Sequence, residues 1–146
     1  MKRFVRGISG WAGAVVVVFL VAGCAGMSSS GGGTMGATLS GREEVPPVST
    51  TASGTSTITV GADKSVSGTV TTTGVAGTAA HIHMAAMGQN GPVIVPLTKT
   101  SDNVWSVPAG TKLTDAQYDA FKAGNLYVNV HSAANKGGEI RAQLKP

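Results

Sequence analysis

Two stretches near the C-terminus constrain this chain more than any other feature. Over 126–131 the apolar Leu126, Val128 and Val130 alternate with Tyr127, Asn129 and His131. Over 139–144 the apolar Ile140, Ala142 and Leu144 alternate with Glu139, Arg141 and Gln143. Period-two alternation is the mark of a strand with one face buried. Antiparallel pairing of His131 with Glu139 sets Val130 opposite Ile140, Val128 opposite Ala142 and Leu126 opposite Leu144. Every apolar residue then meets an apolar one, and a slip of one residue would turn the whole set outward, so the core itself specifies the register. Residues 132–138 become the connecting loop. Tyr127, Asn129, His131, Arg141 and Gln143 are expected on a polar, solvated outer face, with Arg141 beside Asn129.

The preceding hundred or so residues carry the same signal more weakly. Ser56, Ile58 and Val60 alternate with Thr55, Thr57 and Thr59, residues 61–64 read as a turn, and Val66, Gly68 and Val70 alternate with Ser65, Ser67 and Thr69. Threonine in such numbers suits a pleated, half-solvated surface. A further strand is predicted over 79–84, a loop over 88–92 where glycine, asparagine and proline cluster, and short strands over 93–97 and 104–107. One helix interrupts the pattern. Thr114 and Gln117 fit a capping box, Tyr118 and Phe121 share a helical face, and Gly124 is placed to end it. The pattern is therefore all-β with one short helix near 114–123.

The strand signals begin at Ala37. Lys2, Arg3 and Arg6 precede an apolar run from Ile8 to Val21, about 14 residues and too short to span a bilayer comfortably. Small residues then lead to Cys24, the single cysteine of the chain. Val21, Ala22, Gly23 and Cys24 resemble the lipobox of bacterial lipoproteins. That resemblance implies a signal peptide over 1–23, lipidation of Cys24, and a mature chain starting there. An ordinary secretory signal with a coincidental cysteine, or a transmembrane helix, are the competing readings. Ala25 after the cysteine implies, by the same resemblance, sorting to the outer membrane facing the periplasm. Residues 25–36, rich in glycine and serine, read as a flexible tether with a root-mean-square span of about 20 Å. The remaining 37–146 form one domain. Its stability rests on packing, because an acylated Cys24 leaves no thiol for a disulfide.

The whole chain carries a net charge of +4, but Lys2, Arg3 and Arg6 leave with the signal, so the mature protein is near +1. That excludes nucleic acid as a partner. No glycine-rich phosphate loop follows a strand and no nucleophile elbow is present, which leaves acyl and phosphoryl transfer unsupported. Glu43 and Glu44 are adjacent, point to opposite faces of a strand, and make a poor acid/base pair. Glu44, Val45, Pro46 and Pro47 read as a stiff entry to an edge strand.

The chain has three histidines, His81, His83 and His131. On a strand, His81 and His83 project from one face with Cα atoms about 6.6 Å apart. At that spacing two imidazoles can converge on one ion, with metal–nitrogen bonds of about 2.0–2.1 Å. His131 leaves its strand on the non-core face. Glu139 beside it, and Glu44, are candidate oxygen ligands or acceptors behind a histidine. Met84 and Met87 add soft sulfur nearby, which tilts the choice towards copper, with zinc as the alternative. Met84 nevertheless shares the phase of Ile82 and is expected to face the core. The competing reading makes all three histidines structural, hydrogen-bonded to their neighbours or capping a loop.

Taken together these residues resemble the CHRD domain, first described in chordin. Residues 39–48, from Leu39 through Glu44, Val45, Pro46 and Pro47 to Val48, are similar to its opening. Thr78 to His83 with Asn90 to Val93 are similar to its middle. Leu113 and Thr114, Gly124 to His131, and Gly137 to Leu144 are similar to its end. The resemblance covers 37–144 and implies an all-β fold, an antiparallel Greek-key or immunoglobulin-like β-sandwich. It implies little chemistry: in animals the module occurs in a secreted antagonist that binds growth factors. Met84 departs from the small residue common in that family after the second histidine. The His-Ile-His strand also resembles copper/zinc superoxide dismutase, although three histidines supply only a minimal one-metal version. The expectation is a lipid-anchored, non-enzymatic envelope module binding copper or zinc through His81, His83 and His131. The alternatives are a protein- or polysaccharide-interaction module with structural histidines, and a minimal mononuclear copper redox enzyme.

Overall fold

The computed structural model describes residues 36–146. The expected signal peptide, Cys24 and the expected tether up to residue 35 lie outside the described residues. Strands β1 (Ala37–Ser40), β2 (Ser53–Ser56), β3 (Thr59–Val60), β4 (Val66–Ser67), β5 (Thr69–Thr73) and β6 (Gly77–Met84) come first. Then follow β7 (Val93–Pro96), β8 (Thr98–Ser101), β9 (Val104–Ser106), the helix α1 (Asp115–Lys122), β10 (Leu126–Ser132) and β11 (Ile140–Leu144). All pairings are antiparallel, as expected of an all-β chain with one short helix.

Nine strands form one sheet in the order β7-β6-β10-β11-β1-β2-β5-β9-β8, and β3 pairs with β4 apart from it. β7 and β8 stand at opposite ends of that order, yet only Leu97 separates them along the chain. One residue spans no more than about 3.6 Å, so the two ends of the sheet must meet. The sheet is accordingly rolled into a nearly closed barrel. Across the seam, Lys99 Nζ on β8 donates to the Gly77 carbonyl on β6 at 3.3 Å. Opposite walls of one continuous sheet thus face each other across the core, where a sandwich would use two sheets.

The C-terminal hairpin has the register its alternation demands: Leu126 opposite Leu144, Val128 opposite Ala142, Val130 opposite Ile140. These side chains join Leu39, Val70, Ile82 and Trp105 in the core. The capping box is formed as predicted, with Gln117 N donating to Thr114 Oγ1 at 3.3 Å and Thr114 N to Gln117 Oε1 at 2.9 Å. Phe121 brings the apolar face of α1 into the same core.

Three local readings change. The strand expected through Ser56 and Val60 breaks after β2, and β3 with β4 makes its own small ladder around the predicted 61–64 turn. β8 was not legible because all four of its residues are exposed and none is large and apolar; it exists because Thr98 pairs with Ser106. The 44–47 segment is not an edge-strand entry. Gly41–Glu43 forms a 3-10 turn, and Val48 N returns to the Gly41 carbonyl at 2.8 Å, making 41–48 a folded strap.

Ile140 is fully buried at the centre of this arrangement. Ile140→Ala is expected to lower unfolding free energy by about 2–5 kcal/mol in urea denaturation. A loss below about 1 kcal/mol would mean the hairpin does not hold the core.

Candidate metal centre

β6 presents His81 and His83 on the face away from the core, with buried Ile82 between them. β10 runs antiparallel beside it, Tyr127 opposite His83, Asn129 opposite His81 and His131 opposite Ala79. The register therefore gathers all three imidazoles on one patch of two adjacent strands. One nitrogen from each lies within 4.8 Å of the others, a grouping that could hold a metal ion. Two nitrogens sharing a tetrahedral ion stand about 3.4 Å apart, given bonds of about 2.0–2.1 Å. His81 Nδ1 and His131 Nε2 are 3.0 Å apart.

Two backbone carbonyls set the orientation of the rings. His83 Nδ1 donates to the Gly91 carbonyl at 3.0 Å, and His131 Nδ1 donates to the Lys136 carbonyl at 2.9 Å. A carbonyl only accepts, so each ring must carry its proton on Nδ1 and keep a lone pair on Nε2. This is how metal-binding histidines are commonly oriented from behind. Gly91 is needed for the turn that delivers its carbonyl, since a Cβ there would fall 2.0 Å from the Met84 carbonyl oxygen. His83 Nε2 is buried and has no hydrogen-bond partner among the described residues. Burial, together with the neighbouring imidazoles, holds His81 below the usual histidine range. Burial also holds His83 low, offset in part by the Gly91 carbonyl. Both are thus neutral at pH 7, the form that ligates metal.

The polar face expected to be solvated is instead roofed. Tyr127 is 2 %, Asn129 1 % and Arg141 1 % exposed. The 41–48 strap and the 85–92 loop close over them. Asn90 Nδ2 donates to the Val45 carbonyl at 2.7 Å, joining loop to strap. Arg141 Nη2 donates to the Gln89 carbonyl at 2.9 Å and Nη1 to Asn90 Oδ1 at 3.3 Å, while Gln143 Nε2 donates to the Ala85 carbonyl at 3.0 Å. Beneath the roof the Arg141 guanidinium lies 3.4 Å from the centre of the Tyr127 ring, and Tyr127 stacks on His83 at 4.7 Å with planes 5° apart. Because β10 lies between β6 and β11, this stack supports the His83 ring from the hairpin side. Arg141 does pair with Asn129 across the hairpin, as read from sequence.

Neither candidate carboxylate joins the three-histidine group. Glu139 Oε1 accepts from Thr50 Oγ1 at 2.8 Å. The hydroxyl of Ser132, followed by that of Thr50 and the Asn135 side chain, holds it below the usual carboxylate range. It ties β2's approach to the hairpin loop. Glu44, itself a strap residue, is turned inward and 3 % exposed, with Oε1 unpartnered among the described residues. Burial raises its pKa to about 7 against the opposing pull of Arg141 and the Asn129 amide. Gly138, at φ 136°, is obligatory beside it: a Cβ would sit 2.4 Å from Glu44 Oε1 and 2.6 Å from Asn129 Nδ2. Met84 packs against the core as expected, and Met87 is 66 % exposed. Sequence reading missed the buried layer of Tyr127, Asn129 and Arg141, because one strand's alternation cannot tell a solvated face from a covered one.

These features define an antiparallel β-barrel-like domain with a half-buried histidine cluster on its outer wall. The CHRD domain model matches residues 35–144, and the chain belongs to the CHRD domain family. No curated protein and no solved structure matches it.

Glu44 supplies a pH signature. Between its ordinary 4.5 and about 7 the folded state keeps a proton that the unfolded chain has lost. Stability therefore declines as pH rises across that window. Glu44→Gln removes the decline, so the variant's melting temperature should gain on that of the parent between about pH 5 and pH 8. Parallel curves would show that Glu44 is not buried as described.

Proposed function

We propose that this CHRD protein is a non-enzymatic, transition-metal-binding module, lipid-anchored through Cys24 at the bacterial cell envelope, with Ala25 favouring the outer membrane. The observation that carries metal binding is the pair of backbone carbonyls behind His83 and His131. They turn both Nε2 lone pairs towards the patch that His81 also faces, that of His83 without any hydrogen-bond partner among the described residues. Three imidazoles suit both copper and zinc, and copper(II) binds such nitrogen sites more tightly. Zinc is the alternative.

Titration of the full-length chain with copper or zinc tests this. A ligand bound only by the native state at 100 times its dissociation constant adds about 2.7 kcal/mol. That amounts to several degrees in melting temperature for a domain of this size. A stoichiometric rise abolished by His83→Ala is expected; an equal rise in that variant would overturn the site. Anchoring is checked separately: Cys24→Ala should move the protein from the membrane to the soluble fraction.

A second reading draws on the 3.0 Å contact between His81 and His131, through which two of the rings satisfy each other. In it the histidines are structural, and the domain binds an envelope protein. No thermal shift with either metal would favour that reading.

A further inference from the structure

We propose that Asn129 supplies the oxygen side of the metal site, giving a donor set of three imidazoles and one amide oxygen. The inference rests on the metal-binding reading above and adds a residue to it. Asn129 stands directly across from His81 and two residues before His131 on the same strand face, so it borders the patch on which the imidazoles converge. It is 1 % exposed, and its Oδ1 has no hydrogen-bond partner among the described residues.

The orientation of the amide is set from the opposite side. Asn129 Nδ2 donates to the Gly137 carbonyl at 3.4 Å and is the amide atom that crowds Gly138 together with Glu44 Oε1. The Gly137 carbonyl thus takes the NH2 group, leaving Oδ1 on the other end of the amide. His83 lies within hydrogen-bonding reach of this side chain. His83 Nδ1 is committed to the Gly91 carbonyl, so its buried Nε2 also offers only a lone pair. A nitrogen lone pair and an oxygen lone pair cannot satisfy one another. Native interiors rarely leave such groups unpaired, because an unmade buried hydrogen bond costs the full desolvation of the group. A cation between them answers both at once.

A neutral oxygen beside three imidazoles suits zinc(II) or copper(II) and disfavours copper(I), which selects softer ligands. Affinities for zinc(II) and copper(II) are measured by chelator competition on the full-length chain, its Asn129→Ala variant and its Asn129→Asp variant, with circular dichroism confirming the fold. Asn129→Ala should weaken both ions by about 10–100-fold. In that variant copper(II) should keep its three-nitrogen hyperfine pattern in electron paramagnetic resonance. Asn129→Asp, which retains an oxygen and adds charge, should bind at least as tightly as the parent, and it carries the test alone should the alanine variant not fold. Unchanged or tighter binding by Asn129→Ala overturns the inference while leaving the histidine site standing. So does a loss in Asn129→Asp as large as in Asn129→Ala, which would assign the effect to the Nδ2 bonds. Absence of metal binding by the parent overturns both this inference and the reading beneath it.

Discussion

β10 is hydrogen-bonded on both sides, to β11 through the C-terminal hairpin and to β6 across a long-range pairing. Its residues serve two ends at once. Leu126, Val128 and Val130 fill the barrel interior, and Tyr127, Asn129 and His131 build the outer patch. Because the side-chain period is two, a slip of one residue would expel the core and bury the site together. The apolar match of Val130 with Ile140 and of Val128 with Ala142 therefore places His131 near His81 as a by-product of packing. The histidine patch needs no separate folding instruction.

Covering that patch creates the main electrostatic demand of the fold. A buried guanidinium is costly unless its donors and charge are answered. Arg141 is answered by the Gln89 carbonyl, Asn90 Oδ1, the face of Tyr127 and the nearby Glu44 carboxyl. Asn90 links this group to the strap through the Val45 carbonyl. Strap, loop and hairpin are thus held to one another around a single cation. The stack from Arg141 through Tyr127 to His83 carries that order into the histidine cluster. The same enclosure holds His81 and His83 neutral and leaves the lone pairs of His83 Nε2 and Asn129 Oδ1 without donors.

The sheet solves a different problem. With β7 and β8 joined through Leu97 alone, the first and last strands of the sheet order have to come together, and the barrel nearly closes. The polar strand β8 pairs with β9 in a local hairpin, and closure adds a tie to β6 through Lys99. It also explains why a chain with so many threonine-rich, weakly apolar strands can keep a single core: each strand contributes few apolar residues, and rolling turns them all inward.

Local chemistry was enough for the hairpin register, the capping box of α1, the 61–64 turn and the common face of His81 and His83, because each depends on residues within a few positions or on a strong apolar match. The same reading singled out the three histidines. It could not place Glu139 with Thr50, or Glu44 beneath a roof of chain from its own strap and the 85–92 loop, because those contacts join segments dozens of residues apart. Nor could it foresee the burial of Tyr127, Asn129 and Arg141, since alternation shows that a strand has two faces and does not show what covers the second. Sequence alone determined an all-β chain, its C-terminal register and its histidine trio. Only the tertiary structure decided that the polar face would be enclosed, because enclosure depends on which distant loops the closed sheet brings over it.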